Sequence, residues 1–179
     1  MKIDITTLLE HPEETLRVQG SKDPSEFSLE SQSFQLEHAL EVDFTIMNES
    51  EVIVARGRYE GILTSVCGRC LDSYQEPLEG ELEARFFPTR EQLIAEKEQE
   101  DDVVYREPID EGQIHLGFVI AQDVLVQCPM RPLCKPDCEG LCPECGANRN
   151  HTDCGHEGEK LDPRLSKFRE LADELEENN

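Results

Sequence analysis

Apolar and polar residues alternate strictly along one stretch of this chain. From Phe34 to Ile46 the even positions read Phe34, Leu36, His38, Leu40, Val42, Phe44 and Ile46, with mostly polar residues between them. A period of two predicts a strand with one buried face. Asn48, Glu49 and Ser50 then signal a turn, and a second strand is expected from Val52 to about Val66. Its glycines, Gly57 and Gly61, predict a bulge or bend where the sheet curls. Cys67-Gly68-Arg69-Cys70 reverses the chain into a third strand, with Tyr74, Leu78, Leu82, Ala84 and Phe86 on one side. Three strands with short connections make an antiparallel meander, or a partly closed barrel. Ile3 and Ile5 are expected to add an edge strand.

The pattern then changes period. Thr89-Arg90-Glu91-Gln92 has the form of a capping box and predicts a short helix running into the acidic stretch Glu96–Asp102. That stretch reads as a solvated helix end or loop, with a docking strip for a basic partner as the sharper reading. Leu116, Val119, Ile120, Val124 and Gln127 recur at helical spacing, which predicts a helix from Leu116 to Gln127, stopped by Pro129 and Pro132. Leu133 to His156 shows little regular pattern. Asp162-Pro163 starts a last helix, whose apolar stripe is Leu165, Phe168, Ala172 and Leu175. The expected fold class is α+β, with an antiparallel sheet and peripheral helices in residues 1–127. A small cysteine-rich zinc-knuckle segment and the last helix occupy residues 128–179.

Composition narrows the function. No apolar run approaches the ~20 residues of a spanning helix, which excludes a helical membrane protein. The N-terminus lacks the apolar core of a secretory signal, so a reducing cytoplasm is expected. A formal charge of −23 rules out a nucleic-acid grip by net basicity. The acidity fits plain solubility, a basic partner such as a ribosomal protein, or RNA contact through a local basic patch.

The densest chemistry is sulfur. Six of the 8 cysteines lie between Cys128 and Cys154. Cys142-Pro143-Glu144-Cys145-Gly146 has the form of a zinc knuckle, in which two thiolates grip one ion from a tight turn whose amides face the sulfurs. The other two ligands of a tetrahedral ion are expected from Cys134, Cys138, Cys154 or His156. With few apolar side chains the segment cannot order itself by burial, whereas zinc contributes ~10–16 kcal/mol in small zinc peptides. Four protein ligands would close the site, which argues for a structural ion. An iron–sulfur cluster is the rival metal species. Cys128, at the end of the apolar helix, reads as a buried small residue and stays outside the ligand set.

Cys67 and Cys70 admit three uses. They could be inert thiols in a turn that exposes Arg69, ligands to a zinc shared with Cys142 and Cys145, or a redox pair. The last lacks the helix N-terminus that lowers the thiol pKa in thioredoxin-like sites.

Taken together the motifs resemble the YceD family. The residues that carry the resemblance are Cys67-Gly68-Arg69-Cys70-Leu71, Pro129-Met130-Arg131-Pro132-Leu133-Cys134, Cys138-Glu139-Gly140-Leu141-Cys142-Pro143-Glu144-Cys145-Gly146-Ala147-Asn148-Arg149-Asn150, and Asp162-Pro163-Arg164-Leu165. Two departures stand out: Cys154-Gly155-His156 replaces a common Cys-x-Cys, and Cys128 replaces an apolar residue. The resemblance implies a non-enzymatic role in the accumulation of large-subunit ribosomal RNA, with that RNA or a pre-ribosomal particle as partner. No catalytic residues come with it. On this reading the zinc loop presents Arg131, Lys135 and Arg149 as the RNA-facing patch. The alternatives are an acidic holding protein for a basic ribosomal protein, and a thiol oxidoreductase using Cys67 and Cys70.

Overall fold

The computed structural model describes residues 1–27, 29, 31, 33–97 and 105–156. Its elements are β1 (Ile3–Asp4), α1 (Thr6–Glu10), β2 (Thr15–Lys22), a 3-10 turn (Pro24–Phe27), β3 (Phe34–Leu36), β4 (Leu40–Glu49), β5 (Val52–Val66), β6 (Ser73–Phe87), α2 (Arg90–Lys97), β7 (Tyr105–Pro108), β8 (Gln113–Ile114) and α3 (Leu116–Gln127). The fold is α+β, dominated by strands.

The alternating stretch is interrupted once. Leu36 pairs with Leu63 and Glu41 pairs with Glu60, so residues 37–40 face only residues 61 and 62 of β5. The excess is two residues, an even number, and side-chain parity survives it. Phe34, Leu40, Val42, Phe44 and Ile46 all remain buried on one face, while His38 turns to solvent. An odd excess would have turned Phe34 outward.

β4 and β5 meet in a two-residue turn in which Ser50 and Glu51 have φ of 56° and 74°. Two successive left-handed residues match the twist of the hairpin. The Asn48 side chain accepts the Glu51 amide at 3.0 Å and donates to the Leu8 carbonyl at 3.2 Å.

The six-stranded sheet has the order β2-β4-β5-β6-β7, with β3 pairing β5 beyond the end of β4. All pairings are antiparallel except β6 with β7, which is parallel. Among the described residues the sheet is not closed. Ile3 does not extend this sheet. It pairs with Ile114 in a separate two-stranded ribbon, and Ile5 is fully buried beyond it. Strand β2 escapes the pattern analysis because Leu16 and Val18 are only half-buried and the run between turn signals is short.

β5 runs unbroken through both of its glycines, which serve close approach rather than a bulge in that strand. A side chain at Gly57 would lie 2.6 Å from the Phe44 Cα, and one at Gly61 2.6 Å from a Leu40 methyl. Neighbouring side chains, those of Phe44 and Leu40 among them, cross β5 at these bare positions. α3 covers the apolar face of the sheet, where Val119, Ile120 and Val124 share one core with Phe44, Tyr59 and Phe86. On the helix, Asp123 accepts hydrogen bonds from the Tyr59 hydroxyl, from the Tyr105 hydroxyl at 2.8 Å and from Gln127 at 2.8 Å. Burial first, and then the Asp123 carboxylate, push the Tyr105 phenol up to about 12. This cluster ties α3 to β5 and β7.

One half of the predicted capping box forms at α2: the Gln92 amide donates to the Thr89 hydroxyl at 3.3 Å, and that hydroxyl, rather than the Thr89 amide, donates to the Gln92 side-chain oxygen at 3.1 Å. The chain divides into two compact units, Met1–Cys138 and Glu139–Asn179. The loop that follows α3 groups with the first unit through Cys138. Among the described residues no helix is long and apolar enough to cross a membrane. The last predicted helix, from Asp162-Pro163 through Leu175, lies outside the described residues, as do residues 98–102 of the acidic stretch.

Candidate metal centres

The first unit closes its longest hairpin with sulfur. β5 ends at Val66 and β6 begins opposite it at Ser73. Between them the chain turns through Cys67–Asp72, with the Leu71 amide on the Cys67 carbonyl at 3.0 Å and Leu71 at φ 62°. After α3, Pro129 and Pro132 prevent further helix and return the chain across this turn. The Gly68 amide donates to the Pro132 carbonyl at 2.7 Å, and the Arg69 guanidinium donates to the Cys138 carbonyl at 3.0 Å.

This crossing brings Cys67, Cys70, Cys134 and Cys138 together, with all ligand atoms within 4.8 Å of one another. The Cys67–Cys138 and Cys70–Cys134 sulfur pairs are each 3.7 Å apart. A tetrahedral ion with Zn–S bonds of ~2.3 Å requires sulfurs ~3.8 Å apart, so the spacing fits. Cys67, Cys70 and Cys138 are 0%, 2% and 3% exposed, beneath Tyr74 and Leu133.

The electrostatics favour negative charge on one sulfur and resist it on the next. Burial works against the Cys67 thiolate, but the amides of Cys70, Cys134 and Arg69 outweigh it and bring the thiol down to about 6. Cys70 is driven the other way. The Asp72 amide favours its thiolate, yet burial and the three neighbouring sulfurs push it up to about 12. Four thiolates this close can coexist only around a cation.

The second unit builds its own group from Cys142, Cys145, Cys154 and His156, again within 4.8 Å. The knuckle is a tight turn: the Gly146 amide donates to the Cys142 carbonyl at 2.9 Å, with Gly146 at φ 73°. As the spacing predicted, amides face the sulfur, those of Cys145 and Glu144 being the main cause that holds Cys142 at about 6. His156 Nδ1 lies 3.8 Å from the Cys142 sulfur, while its Nε2 lies 3.8 Å from a Glu144 carboxylate oxygen. A carboxylate behind the distal nitrogen is the usual support for a metal-bound imidazole. Asn148 and Asn150 shape the intervening loop, Asn150 accepting the Glu139 amide at 3.0 Å. Cys145 is exposed, and Cys154 and Cys142 are half-buried and buried respectively.

The sequence reading expected a single site drawn from Cys134, Cys138, Cys142, Cys145 and Cys154, or with His156. The structure divides these residues between two groups and recruits Cys67 and Cys70 to the first. The first pair therefore neither stands apart as a bare turn nor joins Cys142 and Cys145. The overlooked signal was the count of paired donors. Two Cys-x-x-Cys pairs, Cys134 with Cys138, and Cys154 with His156 make four half-sites, hence two tetrahedral sets. Among the described residues Cys128 joins neither group; it caps α3, and burial followed by Glu76 pushes its thiol up to about 11. Arg131 and Lys135 are exposed on the first unit, and Arg149 is exposed on the second. Arg69 braces the first group through Cys138.

The family model of the Large ribosomal RNA subunit accumulation protein YceD matches residues 55–173 of this chain, a span that includes all eight candidate donor positions. The chain belongs to the YceD family. Similar curated proteins include uncharacterized proteins of Mycobacterium tuberculosis and Mycobacterium bovis, each 29% identical over 177 residues, covering 96% of this chain and 81% of theirs. An uncharacterized protein of Mycobacterium leprae is 27% identical over 133 residues, covering 74% of this YceD chain and 58% of its own. No solved structure matches.

Proposed function

We propose that this chain is a non-enzymatic cytoplasmic factor that supports the accumulation of large-subunit ribosomal RNA, and that each donor group holds one structural zinc ion. The observation that carries the reading is the YceD match over residues 55–173, which takes in most of β5, all of β6 and β7, α3 and both donor groups. Chemistry supports the metal. Thiolate-rich tetrahedral sets select zinc among common cytosolic ions, and four protein donors leave no position for a reacting water. Zinc would supply charge neutralisation and fixed geometry; Cys67, Cys70, Cys134 and Cys138 would tie the hairpin to the loop after α3. The partner is large-subunit RNA or the particle assembling around it.

Two measurements test this. In cells depleted of the protein, the ratio of large- to small-subunit ribosomal RNA should fall and recover on re-expression; an unchanged ratio overturns the role. Elemental analysis of the native, reduced protein should give two zinc ions per chain. Iron in their place, or a single ion, overturns the metal assignment.

A further inference from the structure

Two knuckle turns of the same shape end on different residues. In residues 142–146 the Gly146 amide returns to the Cys142 carbonyl at 2.9 Å, with Gly146 at φ 73°. In residues 67–71 the Leu71 amide returns to the Cys67 carbonyl at 3.0 Å, with Leu71 at φ 62°. A left-handed backbone crowds a Cβ against the following carbonyl oxygen, a strain that glycine escapes. Local folding therefore favours glycine at both places, yet the first holds leucine. The other described non-glycine residues at positive φ, Ser50, Glu51 and Glu111, are polar. Burial does not explain the choice, because Leu71 is 64% exposed. An exposed leucine is ordinary, but one that is also strained points to a contact outside the fold.

The groups around Leu71 indicate what that contact carries. The Gly68 amide on the Pro132 carbonyl joins residues 67–72 and 129–138 into one tip. Arg69 is exposed there, with one guanidinium nitrogen on the Cys138 carbonyl at 3.0 Å. Arg131 and Lys135 are exposed too, and among the described residues neither has an ion-pair partner. The tip thus holds three cations against two carboxylates, Asp72 and Asp137, in a chain with 17 basic and 40 acidic residues. The charge of the buried sulfurs beneath is answered by their own ion and by amides such as that of Arg69, 3.5 Å from the Cys67 sulfur. A lysine- and arginine-rich partner would meet like charge here. RNA offers both complements, phosphates for the cations and unstacked bases for an apolar side chain.

We propose that this knuckle tip is an RNA contact, in which Leu71 packs against an unpaired base while Arg69, Arg131 and Lys135 hold the phosphates around it. Leucine is one of the side chains that wedge against bases in other nucleic-acid complexes. That the RNA belongs to the large subunit rests on the function proposed above. Its local chemistry, an unstacked base flanked by phosphates, rests on the tip alone.

The test uses the full-length, zinc-loaded protein, titrated at several salt concentrations with an in vitro transcript of large-subunit ribosomal RNA. Leu71→Gly separates docking from folding, because it relieves the strained backbone while deleting the side chain. Its melting temperature should hold or rise while RNA affinity falls about tenfold, the scale of one lost base contact. Arg131→Gln/Lys135→Gln should lower the slope of log affinity against log salt by about 1.4, as two phosphate contacts to single-stranded RNA require. A fully paired RNA duplex should bind more weakly and should not distinguish Leu71→Gly from the wild type. The proposal is overturned if the transcript does not bind, if Leu71→Gly lowers the melting temperature or leaves affinity unchanged, or if the salt slope ignores the glutamine pair. A duplex bound as tightly as the transcript overturns it too, as does a nuclease-resistant protein partner that Leu71→Gly loses. In cells, a Leu71→Gly variant that fully restores the RNA ratio sinks this inference and leaves the proposed function standing. A ratio unaffected by depletion sinks the function itself.

Discussion

The two donor groups use nearly the same ligands in opposite settings. The first lies at the tip of a hairpin whose strands already belong to a sheet with a packed core, and three of its four cysteines are shielded from solvent. The second sits in a stretch, 139–156, whose only large aliphatic residue is the half-buried Leu141. One ion would therefore join elements that fold for other reasons, while the other would order a stretch with almost no apolar surface of its own to bury. Similar donor sets can be a staple or a core, depending on the apolar surface around them.

The sharpest way to break this contrast is metal removal. A strong chelator should strip the second group first, through exposed Cys145, and the first group much later. As the second ion leaves, the amides of Cys142, Gly146 and Arg149, which are hydrogen-bonded within that unit, should lose protection at least a hundredfold in hydrogen exchange. The loss follows from a binding free energy of ~10–16 kcal/mol that doubles as folding free energy. Sheet amides of β4 and β5 should not respond. A single release phase, or simultaneous loss of sheet protection, would show that the two regions are not distinct in this way.

Next in size is Cys67→Ser. It would remove a buried donor from the proposed staple and should cost about 3–5 kcal/mol in denaturant unfolding, while leaving a cooperative transition. Full unfolding at zero denaturant would mean that the sheet depends on its ion as the second unit does.

The N-cap at Thr89, α3 from Leu116 to Gln127, the parity of β4 and the knuckle at Cys142 were all legible from residue order. Each rests on neighbours within a few positions, where spacing alone decides geometry. Less visible was the Tyr59–Asp123–Tyr105 cluster, because it joins residues 64 and 18 positions apart across three elements. Tyr59→Phe removes one donor to a charged carboxylate, and a cost of about 1.5–3 kcal/mol in thermal or chemical unfolding is expected. No change would mean that the staple and the apolar core alone hold α3.

The smallest effect belongs to the outer, polar face of the sheet. Arg56 donates to Glu83 at 2.6 Å and to Glu49 at 2.9 Å, and Arg85 donates to Glu83 at 3.2 Å. The Arg56 hydrogen bond leads the interactions that hold the Glu83 carboxyl below its ordinary range, against a smaller burial effect. A depressed acid stabilises the fold above the ordinary carboxylate range and loses that contribution as pH falls through its lowered value. Glu83→Gln should therefore cost under ~1 kcal/mol near neutrality and nothing in strong acid, by unfolding curves at the two pH values.

From residue order alone came the strands with one apolar face, the helix that fills the sheet, and the cysteine pairs as half-sites for a metal. Which half-sites combine was decided by tertiary structure. A Cys-x-x-Cys turn presents two ligands whatever surrounds it, but a tetrahedral ion needs four. The partners of Cys67 and Cys70 are more than sixty residues away, delivered by a hairpin and a helix that meet only after the sheet has formed.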